Sequence, residues 1–79
     1  MSDTDRYLIL VEGAPSSNYS AWSPDLIGCV ATGDTIEQCV SVMREAITGH
    51  LAVMREHGDA IPEPTGPGVY IEQHAVAAA

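Results

Sequence analysis

The apolar residues of this chain change period once, near residue 35, and that change limits the folds open to it. Ile36, Val40, Met43, Ile47, Leu51 and Met54 recur at spacings of three and four, which lines them along one stripe of a helix. Asp34 or Thr35 is placed to cap its start, because Glu37 or Gln38 follows three residues later in capping-box fashion. Gly58 suits the left-handed position after the last turn, where Arg55 complements the C-terminal dipole. The spacing predicts one helix over 35–57, about 34 Å long at 1.5 Å per residue. Gly49 in its middle costs about 1 kcal/mol relative to alanine. Either it permits a close packing approach or the helix tolerates it.

Everything else reads as strand and turn. A β-rich run from Tyr7 to Glu12 leads into a Gly-Ala-Pro-Ser-Ser-Asn cluster, and a second strand is expected from about Asn18 to Ser23. A third, from about Cys29 to Thr32, meets it across a Pro24-Asp25 turn. After the helix, three prolines within "AIPEPTGPG" force an extended loop, and "VYIEQHAV" supplies a last strand with Val69 and Ile71 on one face and Tyr70, Glu72 and His74 on the other. A helix between the third and fourth strands calls for a right-handed crossover that sets the fourth parallel to the first. The fold class is therefore α+β, a two-layer βββαβ sandwich with sheet order 3-2-1-4 and one long helix on one face. The whole of 1–79 is expected to form a single domain, with 1–5 and 76–79 frayed.

One helix can cover only one face of such a sheet. Tyr7 to Val11 are apolar at every position, as in strands buried on both sides. The expectation is that Tyr7, Ile9 and Val11 lie on the second face and mark an association site. A 79-residue core is small, and two cysteines make no disulfide scaffold, so a homodimer or homotetramer is the expected support. Eleven acidic residues against three basic ones give a net charge of −8. That sign argues against nucleic-acid binding, which needs clustered cations, and would steer a basic partner protein toward the chain, although ordinary solubility charge accounts for the acidity by itself. The polar start and the lack of any long apolar run give no sign of a secretory leader or a membrane span, so the cytoplasm is the expected compartment.

No catalytic constellation emerges. Cys29 and Cys39 lack any histidine placed to activate them and read as small buried hydrophobes. Glu12, Asp25, Asp34 and Glu37 could in principle gather divalent ions as nuclease carboxylates do, but each fits a strand end, turn or helix cap. His50, His57 and His74 have no metal-ligand spacing, and no glycine pattern cradles a phosphate. No cofactor and no metal are expected. Tyr19, Trp22 and Asp25 are the candidate partner contacts, as an aromatic pair beside an acid, although Trp22 fits the core equally well.

The ordered series Tyr19 and Trp22, then Pro24, Asp25, Leu26, Gly28 and Cys29, then Gly33, Asp34 and Thr35, then Ile61, Pro62 and Pro64 resembles the HicB-like antitoxins of bacterial toxin–antitoxin systems. The likeness implies a partial RNase H-like fold without enzymatic activity. It also implies a protein that neutralises a HicA-like toxin, a small basic ribonuclease, by covering its RNA-binding and active-site surface. Ile27 stands where the family often has proline. Many relatives carry a C-terminal DNA-binding segment, and this chain ends in "HAVAAA", so direct DNA binding is not expected. The alternative is an orphan interaction module of the same fold with another protein partner.

Overall fold

A computed structural model describes residues 6–14 and 17–73. The expectation of frayed ends at 1–5 and 76–79, and the placement of His74, fall outside that range. The elements are β1 (Ile9–Gly13), β2 (Tyr19–Ser23), β3 (Leu26–Gly33), α1 (Ile36–Glu56) and β4 (Val69–Gln73). They form a mixed four-stranded sheet in the order β3-β2-β1-β4, with one helix against it. β1 pairs antiparallel with β2 and parallel with β4, the pairing that the crossover requires.

Both ends of α1 are held by the residues that flank it. Thr35 is the N-cap: its side chain accepts from the Gln38 N–H at 3.0 Å, while Gln38 Oε1 accepts from the Asp34 N–H at 2.7 Å. At the other end Gly58 takes φ +72°. The Gly58 N–H bonds to the Arg55 carbonyl and the Asp59 N–H to the Met54 carbonyl, the paired bonds of a Schellman motif.

The core lies between α1 and one sheet face. Cys39, Met43, Ile47 and Leu51 are buried on the helix, with Ile36, Val40 and Ala46 packed beside them. Cys39 therefore belongs to the stripe's centre. Opposite them lie Ile9 and Val11 of β1, Tyr19 and Ala21 of β2, and Leu26, Cys29 and Ala31 of β3. Small residues bring the helix close. Ala21 and Ala31 are cross-strand neighbours, and a Cβ on Gly33 would stand 2.6 Å from the Cys39 backbone nitrogen. α1 lies over β3, β2 and β1 but does not reach β4.

This arrangement corrects one expectation. Tyr7, Ile9 and Val11 do not form the second face; all three are buried in the core beneath the helix. In a run apolar at every position, periodicity does not say which phase faces inward, and the pairing register decides it. Tyr7 adds a tether, its hydroxyl donating to the Pro62 carbonyl.

Two glycine substitutions should move stability in opposite directions. A Cβ at Gly49 meets nothing within 4 Å, so Gly49→Ala should stabilise by about 0.5–1 kcal/mol and raise Tm by a few degrees. Gly33→Ala should cost about 1–3 kcal/mol, because the helix start must shift away. Thermal and urea denaturation of the two variants checks both signs.

Candidate interaction surface

The sheet face away from α1 carries no helix among the described residues, and the strand registers order its side chains into rows. Val30 lies opposite Trp22, Trp22 opposite Leu10, and Leu10 opposite Tyr70. One apolar row thus crosses all four strands. Its members are open to solvent: Val30 is 66% exposed, Trp22 37% and Tyr70 70%, with Leu10 half-buried among them. A shallow cleft of about 240 Å³ opens where Leu10, Trp22, Tyr70 and Glu72 meet.

The next row is polar. Thr32, Ser20, Glu12 and Glu72 follow one another across the sheet, and the two carboxylates stand side by side on the parallel strands. No strand contains a lysine or an arginine. The face is therefore an aromatic and aliphatic band beside a negative edge. Such a band attracts a protein surface with an apolar centre and a cationic flank.

Of the three expected contacts, Trp22 alone sits in this band. Tyr19 points the other way and is 5% exposed, part of the core. Strand parity separates them, since an odd spacing along β2 puts the two rings on opposite faces. Leu10, Val30 and Tyr70, which are not among the expected contacts, complete the band. The alternation of β2 and β4 contained that information once the register was known.

Asp25 has a structural task. It accepts from the Thr65 backbone N–H at 2.8 Å and from the Thr65 hydroxyl. The β2–β3 turn is thereby fastened to the loop that leads into β4. After the turn, the register between β2 and β3 shifts, and Gly28 takes φ +86°, a left-handed conformation costly for other residues. Leu26 is buried there while Ile27 is 93% exposed.

The cysteines are poor nucleophiles. Cys29 and Cys39 are free and buried, and burial pushes both thiols up, away from the thiolate form. Among the described residues no group of three or more His, Cys, Asp or Glu could hold a metal ion, and no helix is long and apolar enough to cross a membrane.

The Asp25 clamp generates a titration test. The Thr65 hydroxyl, and after it the Thr65 N–H, hold the Asp25 carboxyl below the usual aspartate range. Its folded value lies below its unfolded one, so the contribution to stability is present above the usual aspartate range and is lost as pH falls through the depressed folded value. In Thr65→Val the Asp25 midpoint, read by NMR, should move upward toward the ordinary value.

A family model described as HicB_like antitoxin of bacterial toxin-antitoxin system matches residues 7–78. No curated protein and no solved structure matches the chain significantly.

Proposed function

Since the chain belongs to the HicB_like antitoxin family of bacterial toxin–antitoxin systems, we propose that it neutralises a HicA-like toxin by covering the toxin's RNA-binding and active-site surface with its open sheet face. The observation that supports this reading is the four-strand apolar row beside Glu12 and Glu72, on a chain of net charge −8. A ribonuclease that grips phosphates presents cations, and an acidic face can occupy the same ground.

In this reading Trp22 is the anchor, flanked by Val30, Leu10 and Tyr70. Aromatic side chains at the centre of a desolvated patch carry much of the binding energy of typical interfaces. Glu12 and Glu72 set the orientation and speed the encounter. Asp25 acts from behind, by fixing the turn next to Trp22 through Thr65. The protein does no chemistry of its own and works by occlusion, as one HicB-like domain of partial RNase H-like type in the bacterial cytoplasm. The β3-β2-β1-β4 order with a single crossover helix supports that fold assignment.

A HicA-like toxin should be encoded beside this gene; co-expression with it should restore growth, and the two proteins should co-purify. Trp22→Ala combined with Tyr70→Ala should weaken the complex by about tenfold or more while leaving the circular dichroism spectrum unchanged. Binding should also weaken as ionic strength rises. Failure of the wild-type chain to rescue growth, or capture of a partner that is not a nuclease, overturns the reading.

A further inference from the structure

β4 is the least covered element of the molecule. Among the described residues it packs on β1 and on no other element, because α1 stops short of it. Tyr70, Ile71 and Glu72 are exposed, and Val69 is partly buried against the core. The loop before it is no deeper. No residue from Asp59 to Gly68 is fully buried, and Ile61 is the apolar side chain of that loop that leans on the core. Specific bonds fasten the stretch instead. The Thr65 N–H and hydroxyl donate to Asp25, the Tyr7 hydroxyl to the Pro62 carbonyl, and the Ile9 N–H to the Gly68 carbonyl.

We propose that residues 59–73 form a strap that opens as one unit while α1 and β1 to β3 stay folded, with Gly58 as its hinge and the Asp25–Thr65 bonds as its latch. Local opening costs least where apolar contacts are few and hydrogen bonds are exposed, and both conditions meet here. Opening uncovers Ile61, Val69 and the outer edge of β1. It leaves in place the contacts of Cys39, Met43, Ile47 and Leu51 with the first three strands. Gly58, at φ +72° between α1 and the strap, is the residue best able to absorb the change in backbone direction.

The two positions of the strap present different surfaces. Closed, it sets Tyr70 beside Leu10 and Glu72 beside Glu12 on the open face. Open, it takes both away, so the apolar row ends at Leu10 and the acidic pair is split. A partner that needs Tyr70 binds the closed form alone and holds the latch shut. That consequence rests on the function proposed above, whereas the strap itself does not.

The backbone of β1 supplies the test. Because the Ile9 N–H donates to the Gly68 carbonyl, Ile9 and Val11 turn their N–H groups toward β4, and Leu10 and Glu12 turn theirs toward β2. In native-state hydrogen exchange followed by NMR, the Ile9 and Val11 amides should exchange at least about tenfold faster than those of Leu10 and Glu12, and with a weaker dependence on urea, since less surface is exposed. Thr65→Val should speed Ile9 and Val11 by about two- to tenfold. Gly49→Ala, which strengthens α1 alone, should slow Leu10 and Glu12 by about two- to fivefold and leave Ile9 and Val11 unchanged. Equal exchange and one urea slope at all four amides, or an equal response of all four to Gly49→Ala, overturns the strap, and Ile9 and Val11 amides indifferent to Thr65→Val overturn the latch. With a HicA-like toxin bound, Ile9 and Val11 should slow further, and a complex that forms without this slowing overturns the coupling to binding. If no complex forms, the toxin reading fails, and the exchange pattern of the free chain still decides the strap.

Discussion

A four-stranded sheet has two faces and two edges, and the described residues supply one helix to cover them. The contact between that helix and β1 to β3 is what the rest of the molecule depends on. Ala21, Ala31 and Gly33 keep the sheet surface low enough for α1 to settle, and Cys39, Met43, Ile47 and Leu51 fill the space that remains. Where the helix stops, burial stops. Among the apolar side chains left outside are the row on the far face and Ile71 at the edge, and the proposed binding face is a consequence of a cover too small for its sheet.

That geometry also separates the open face from the sheet edge. The row from Val30 to Tyr70 lies on a face, where side chains provide the contact. The outer side of β4 is a line of backbone groups, where main-chain hydrogen bonds provide it. A molecule can use both together, since extending a sheet at its edge leaves its face open.

Much of the architecture was legible in the sequence because its signals were local. The period of α1, the Thr35–Gln38 cap, the Gly58 stop and the crossover that sets β4 beside β1 each rest on a few neighbouring residues. The faces were harder to read. In "YLILV" every position is apolar, so nothing in that run distinguishes Ile9 and Val11, which are buried, from Leu10, which lines the open face. In "YSAWS" both phases hold an aromatic ring, and the smallness of Ala21 was the available sign that the Tyr19 phase lies beneath a helix. Asp25 was legible as a turn residue, but its partner Thr65 is forty residues away and no local pattern announces it.

β4 reaches its place by the longest route in the molecule. Among the described residues its one strand partner is β1, with Val69 set beside Ile9, whereas β1 to β3 and α1 each pack on elements close to them in the chain. Closing so long a loop carries an entropic cost that the parallel pairing must offset. The Asp25–Thr65 and Tyr7–Pro62 contacts fasten the loop. Tyr70 completes an apolar row whose other members, Val30, Trp22 and Leu10, lie on the first three strands. A row that spans all four strands is complete only with β4 seated, so Tyr70 joins Leu10, Trp22 and Val30 on the open face through the pairing that closes the longest stretch of chain.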